Sequence, residues 1–253
     1  MVYDLQKAGL WKRIAAWMFD GILTAILAVG LGFLLSSLLG YDSYSQTLDA
    51  AYDRYEQQYG IVFEITQNEY EAMTDAQKQN YEAASAALTA DPEAGYAYNM
   101  TLNLSMAIFS VAVLVSVLLW EFALPLYFGD GQTLGKKIFG LCLVRTDCVR
   151  MNKLQLFART LLGKFALETM LPVYIVFLTF WGVLGMTGTV ILFALGIAQL
   201  LCLGISRTNS ALHDLLAGTA VVDKASQIIF RDTEELLEFQ KRVAAERAAR
   251  QPY

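Results

Sequence analysis

Histidine and cysteine are scarce in this chain, and its N-terminus lacks the pattern of a cleavable signal peptide. A single histidine, His213, excludes a histidine-based metal cluster, so no metal site is expected. Three cysteines, Cys142, Cys148 and Cys202, cannot all pair with one another, and none lies in residues 41–100, so no disulfide framework is predicted. The N-terminus has no short apolar segment followed by a small-residue cleavage site. We therefore expect the first apolar helix to direct insertion into a membrane.

Charged residues are also few, at 17% of the chain against about 25% in an average soluble domain. The deficit is uneven, because long uncharged stretches alternate with densely charged ones. A bilayer core of about 30 Å needs about 20 apolar residues in a helix. Four stretches meet that length: roughly residues 14–39, 101–128, 161–183 and 187–205. The sequence therefore predicts an all-α membrane protein with four transmembrane helices, the last two joined as an antiparallel hairpin.

The distribution of basic residues predicts the orientation of these helices. Residues 40–100 hold eleven acidic residues and two basic ones, a net charge of −9, so the rest of the chain carries +4. With four spans, the basic N-terminus, the 129–160 loop and the basic tail lie on one side, whereas three spans would separate them. We expect this side to be cytoplasmic and to contact lipid headgroups rather than nucleic acid. Residues 41–100 would then be extracytoplasmic.

Four regions follow from this topology. They are residues 1–40 (N-terminus and first helix), 41–100 (an acidic helical insert), 101–222 (the other three spans, the central loop and a His-Asp segment) and 223–253 (a charged, helical cytoplasmic tail). A turn-rich stretch after the fourth span fits a helix start near Asn209.

The insert is predicted to fold rather than to serve as a solvated linker. It carries nine tyrosines, too many aromatic residues for a disordered segment. Capping-box patterns at 66–69 and 74–77 and an Asp-Pro pair at 91–92 mark three helix starts. We expect a small cap of three or four short helices.

Three acidic residues, Asp20, Glu121 and Glu168, fall within the predicted spans. A charged side chain in the hydrocarbon core is costly, so it normally faces protein or a water-filled cavity. At 1.5 Å per residue, all three lie roughly 9–12 Å from the cytoplasmic ends of their helices. One interpretation is a site in the cytoplasmic half of the membrane that binds a cation or a proton through these carboxylates.

The alternative is that these acids only hold helices together. Arg13, Lys164 and Arg159 can supply cationic partners, and Lys164 lies one helical turn before Glu168. These two interpretations stay open at the level of the sequence.

The ends of the membrane region carry a further predicted pair. Arg13 lies at the cytoplasmic rim of the first helix, and Asp214 follows the fourth helix on the same side. We predict that the forked guanidinium of Arg13 bridges to Asp214. His213, directly before Asp214, is either a proton relay or a neighbour of a structural carboxylate.

No motif for nucleotide binding or catalysis is found. In residues 129–136, Asp130 occupies a position where a phosphate-binding loop needs glycine, and Lys137 occupies the serine or threonine position. No serine–histidine–aspartate set is visible. The chain is therefore predicted not to be an enzyme and to need no cofactor, and the loop's lysines are placed at the lipid headgroups.

Several segments together resemble the RDD family of bacterial membrane proteins. The residues that carry the resemblance are KRIAA at 12–16 with Asp20, GQTLGKK at 131–137, GLCLV at 140–144 and HDLLAGTAVV at 213–222. The family's arginine and two aspartates fall on Arg13, Asp20 and Asp214. The resemblance implies a multi-pass protein of the bacterial inner membrane, with transport of ions or small solutes suggested for the family. It does not cover the tyrosine-rich insert.

Two functional hypotheses follow. The first is transport or coupling of a cation, a proton or a small solute through the intramembrane carboxylates. Four helices rarely enclose a pathway alone, so this hypothesis requires a homo-oligomer or a partner membrane protein. The second is a non-transporting accessory or scaffold protein that binds partners through the insert and the cytoplasmic tail.

Overall fold

The computed structural model describes residues 5–180, 182–205 and 210–250, which are predominantly helical. In chain order the elements are α1 (Leu10–Leu39), α2 (Tyr41–Tyr59), α3 (Gln67–Ala72), α4 (Asp75–Ala90), α5 (Pro92–Phe128), α6 (Leu134–Ile138), β1 (Leu141–Arg145), α7 (Lys153–Phe180), α8 (Gly185–Ile205), α9 (Leu212–Ala217), β2 (Thr219–Asp223) and α10 (Thr233–Arg250). Within the described residues, α1, α5, α7 and α8 are the four helices long and apolar enough to cross a membrane. This confirms the predicted fold class.

The apolar parts of these four helices are largely uncovered by protein. At most 22% of the residues in each apolar window are buried, and none is buried in that of α1. Large side chains such as Phe33 and Phe193 are 75% and 70% exposed. In a water-soluble protein these surfaces would be unfavourable, whereas a bilayer covers them with acyl chains.

Three of the spanning helices begin well before the predicted apolar stretches, at Leu10, Pro92 and Lys153. The bilayer sets the length of an apolar stretch, but a helix continues for as long as its backbone hydrogen bonds do. The predicted helix start at the Asp-Pro pair is confirmed, since Asp91 accepts the backbone N–H groups of Glu93 and Ala94. That helix is α5 itself, however, and not a separate short helix.

The chain divides into two compact units, residues 28–112 and residues 1–27 with 113–253. In the 28–112 unit, aromatic rings pack edge to face. Phe63 has ring centroids 5.3 Å from Tyr52 and 5.8 Å from Tyr81, and Tyr81 lies 5.5 Å from Tyr70. Each such pair adds about 0.5–1.5 kcal/mol beyond burial of its area. These rings therefore form part of a folded core, and the insert is not an unfolded linker, as the sequence predicts.

The same unit begins its short helices at the predicted capping boxes. Thr66 accepts the backbone N–H of Glu69, whose carboxylate accepts the N–H of Thr66. Thr74 and Gln77 form the same reciprocal pair at the start of α4. These bonds satisfy donors that every helix start leaves free, and both predictions are confirmed.

In the other unit, β1 and β2 form an antiparallel pair, with Leu141 opposite Asp223 and Arg145 opposite Thr219. The first four residues of each strand are buried. This short pair was not predicted from the sequence, although the described residues remain predominantly helical. The two apolar runs are too short for their periodicity to distinguish a strand from a buried helix. The two runs form strands because they pair with each other, although they are far apart in the chain.

The charged tail contains the helix α10, which begins at Thr233. Asp232 accepts the backbone N–H of Glu235 at its start. Leu236 is buried against Phe230 and Cys148, so one side of the helix is attached to the β-sheet region. The helix start predicted near Asn209 lies outside the described residues, and α9 begins at Leu212.

Candidate functional site

Asp20, in α1, is bound by the segment that contains the GQTLGKK motif. Its Oδ2 accepts the hydroxyl of Thr133 at 2.5 Å, and its Oδ1 accepts the backbone N–H of Gly135 at 2.7 Å. A Cβ at position 135 would lie 2.9 Å from the Asp20 carboxyl carbon and closer still to the carbonyl oxygen of Ala16. Glycine is therefore required for this close approach, and the Asp20 carboxylate fixes α6 against α1.

Glu121 is surrounded by cationic groups. It lies in α5, within a π-helical turn at Leu119–Ala123, and is 1% exposed. Its Oε1 forms an ion pair with Lys164, while its Oε2 lies 3.5 Å from Lys136 Nζ and 3.9 Å from an Arg159 nitrogen. A buried carboxylate needs such partners to remain ionised. Glu121 is therefore fully compensated by protein.

Asp214, at the start of α9, is equally buried and binds two arginines. Arg159 Nε donates to its Oδ1 at 2.8 Å, and a guanidinium nitrogen of Arg13 lies 3.9 Å from its Oδ2. The hydroxyl of Thr219 donates to Oδ1 at 3.2 Å, and His213 Nε2 lies 3.5 Å away. Arg159 thus contacts both Asp214 and Glu121, which makes it the central cation of the cluster.

Glu168 differs because its closest side-chain partner is a histidine rather than a lysine or an arginine. His213 Nδ1 lies 2.6 Å from its Oε2, and the backbone N–H of His213 and the side-chain amide of Gln199 each donate to its Oε1 at 3.0 Å. The close approach requires Gly163, where a Cβ would lie 2.6 Å from the Cβ of His213. The pairing of Glu168 with Lys164 considered from the sequence is wrong, since Lys164 binds Glu121.

A long π-helical segment explains that difference. Residues Arg159–Met170 have the wider π-helical turn, with the N–H of Leu171 bonded to the carbonyl of Ala166, five residues back. Residues four apart therefore no longer lie above one another. The Thr160 hydroxyl in this segment donates to the carbonyl of Glu121, in the π-helical turn of α5, at 3.0 Å. π-Helical turns are rare and are frequent at functional sites.

These side chains line one cavity of about 750 Å³. Its charged lining residues are Arg13, Asp20, Glu121, Lys136, Arg159, Lys164, Glu168 and Asp214, together with His213. Four carboxylates therefore face four lysine or arginine side chains. The remaining lining residues are mostly apolar and come mainly from α1, α7 and α8.

Burial affects the two charged groups of the cluster that lie outside the spanning helices. It lowers the pKa of Lys136, and the opposing effect of Glu121 is smaller. Burial alone would raise the pKa of Asp214, but Arg159 and His213 outweigh it and hold that pKa well below its ordinary value. Asp214 is therefore ionised at neutral pH and stabilises the fold as a carboxylate.

The structure brings the predicted acids Asp20, Glu121 and Glu168 to the same cavity but gives each its own partners. Arg13 lies near Asp214, yet Arg159 is closer to it.

Sequence reasoning placed Lys136 at the lipid headgroups, whereas it is 8% exposed within the cluster. The sequence carried no signal for the central position of Arg159, because its partners are far away in the chain. Among the described residues, no group of histidine, cysteine, aspartate and glutamate could hold a metal ion.

Comparison with known proteins gives one match. The sequence model of the RDD family matches residues 7–218, which include every charged residue that lines the cavity. No curated protein and no solved structure matches the chain.

Proposed function

The chain belongs to the RDD family, and from this premise we propose that it transports a cation, a proton or a small solute, with proton exchange at the carboxylates of the cavity. Transport is the role that the family resemblance suggests. The protein acts in this proposal as a homo-oligomer or with a partner membrane protein, since four helices rarely enclose a pathway alone. It needs no cofactor and catalyses no covalent chemistry.

The observation that carries the proposal is the contact between Glu168 and His213 on the cavity wall. Glu121 and Asp214 are held by lysine and arginine side chains, which keep their charge at physiological pH. Histidine, by contrast, is the side chain whose charge changes closest to neutral pH. The Glu168–His213 pair is therefore the part of the cluster best suited to exchange a proton with the cavity.

Proton flux into liposomes tests this proposal. The purified full-length protein is reconstituted with a pH-sensitive dye inside, and a potassium diffusion potential drives proton entry. We expect Glu168→Gln and His213→Gln to reduce the flux to that of protein-free liposomes. Glu238→Gln, an exposed change in the tail helix, is the matched control and should retain it. Equal flux in all variants would refute the proposal.

We also propose that the termini are cytoplasmic, that residues 41–100 are extracytoplasmic and that the membrane is a bacterial inner membrane. The basic residues on one side support this orientation. After replacement of the native cysteines, a membrane-impermeant reagent should label a cysteine introduced at Ser43 or Ala86 in intact cells. It should not label one at Asn152 or Ala249. The opposite pattern of labelling would reverse the orientation.

A second candidate function is supported by the 28–112 unit, which has its own aromatic core and a strongly acidic surface. In this alternative the protein is a non-transporting scaffold that binds partners through the insert and the tail. Deleting residues 42–90 leaves α5 intact and should abolish partner recovery, while Glu168→Gln should not. Retained partners after the deletion would exclude the scaffold role for the insert.

A further inference from the structure

The cavity combines a charged end with apolar walls made by spanning helices. Ile14 and Trp17 contribute from α1, and Leu200 and Leu203 contribute from α8. Trp17 and Leu200 are 63% and 69% exposed, so the protein does not cover them. A volume of about 750 Å³ lies within the range of small-molecule sites, about 300–1,000 Å³. Walls of this kind favour a ligand with an apolar part.

The charges that remain accessible at the other end are mainly positive, although acids and bases are equal in number. The side chain of Lys164 is 18% exposed, and those of Arg13 and Lys136 are each 10% exposed. Glu121 and Asp214 are each only 1% exposed and are therefore less accessible than these cations.

Asp20 is 3% exposed and occupied by its two hydrogen bonds. Glu168 is the most accessible acid of the cluster, at 17%, and it is bonded to His213. The cavity therefore presents a surface that is complementary to an anion.

The charged end carries residue types that are typical of the membrane–water interface. Arg13 and Trp17 are one turn apart near the start of α1. Arginine and lysine near helix ends, together with tryptophan, are characteristic of the membrane–water interface. Basic recesses between transmembrane helices bind anionic lipid headgroups.

We propose that this cavity binds one anionic phospholipid, with its phosphate at Lys164 and Arg13 and an acyl chain along the α1 and α8 walls. This inference rests on the proposed function in that it names a ligand class for the same cavity. An anionic headgroup gives the accessible cations a further partner beside their carboxylates, and an acyl chain covers the exposed apolar walls. A soluble anion would leave those walls uncovered, and a zwitterionic lipid would add a positive charge beside the cations.

Native mass spectrometry of the full-length protein, released from detergent micelles, tests this site without any transport step. The probes are phosphatidylglycerol and phosphatidylcholine with the same acyl chains. We expect one phosphatidylglycerol to be retained in preference to phosphatidylcholine. Gly196→Phe should abolish this preference, because Gly196 lines the cavity and has open space at its Cβ. Gly204→Phe, also open but outside the cavity, is the matched control and should retain the lipid.

A charge variant provides a second readout. Lys164→Gln should weaken phosphatidylglycerol binding by about fivefold, since one basic residue near a headgroup contributes about that factor. Lys153→Gln removes an exposed lysine from the same helix and should leave binding unchanged.

Equal retention of the two lipids, or retention unaffected by Gly196→Phe, would show general lipid contact only and overturn the proposal. Displacement of the lipid by inorganic phosphate alone would indicate a soluble anion site and also overturn it. Proton flux is measured separately. If Glu168→Gln loses the flux but the protein shows no lipid preference, the lipid site is wrong and the proposed function stands. If phosphatidylglycerol is preferred but Glu168→Gln keeps the flux, the proposed function is wrong and the lipid site stands.

Discussion

The 28–112 unit and the charged cluster use ionic groups in opposite ways. In the unit, Arg54 pairs with Asp91 while its side chain remains 52% exposed. In the cluster, Arg159 pairs with Asp214 at 2% and 1% exposure. An exposed pair is well solvated and contributes little, whereas removing one partner of a buried pair leaves an uncompensated charge.

This difference shows which part of the molecule depends on its charges. The 28–112 unit is stabilised by aromatic packing and by helix caps between residues close in sequence. The cluster depends on contacts between distant segments, such as Asp20 with Thr133 and Arg159 with Asp214. Substitutions of charged residues should therefore affect the two regions very differently.

The largest effect is expected for Arg159→Gln. It leaves Glu121 with less compensation and deprives Asp214 of its closest cation, so we expect a loss of about 3–5 kcal/mol in the free energy of unfolding. Thermal unfolding of the full-length protein in detergent measures it. Arg150→Gln removes a 51% exposed arginine and should have little effect. If the two variants were equally stable, the central role of Arg159 would be wrong.

A smaller loss is expected for Gly135→Ala. The new Cβ would collide with the carbonyl of Ala16 and the carboxylate of Asp20, and overpacking of this kind costs about 1–3 kcal/mol. Gly21→Ala is the control, because its Cβ meets open space in α1. That change should preserve or raise stability, since alanine favours a helix. A stable Gly135→Ala protein would contradict the close approach of α6 to α1.

The pair of Arg13 and Asp214 should show a modest coupling. Each alanine substitution should lower the unfolding temperature, and the double variant should lose less than the sum, with a coupling energy of about 1 kcal/mol. The coupling is smaller than that of Arg159 with Asp214 because the Arg13 nitrogen is 3.9 Å away rather than 2.8 Å. Strictly additive losses would remove Arg13 from the ion-pair network.

The smallest effect is expected for Arg54→Ala in the 28–112 unit. The Arg54 side chain is 52% exposed, and Asp91 keeps its backbone hydrogen bonds without it, so the thermal unfolding curve should not differ measurably from that of the unchanged protein. Phe63→Ala, which removes the ring between Tyr52 and Tyr81, should destabilise the same unit clearly. If Arg54→Ala lowered the unfolding temperature more than Phe63→Ala, the conclusion that the 28–112 unit depends on aromatic packing rather than on its charges would be wrong.

The sequence by itself determined the features that depend on local chemistry. Four long apolar stretches predict four spanning helices, because their length and composition match the bilayer. Thr66 and Thr74 predict helix starts, because a capping box needs residues only three positions apart. The motif segments at 12–20, 131–137, 140–144 and 213–222 were together also enough to indicate the family.

Only the tertiary structure decided how the charged residues pair and where the short strands form. Lys164 pairs with Glu121 and not with Glu168, because the π-helical segment of α7 changes which residues lie above one another. The strand β1 (Leu141–Arg145) forms because it pairs with β2 (Thr219–Asp223), which follows the fourth spanning helix in the chain. In both cases the deciding contacts join segments distant in the chain, and several local patterns are compatible with the same residues until those segments meet.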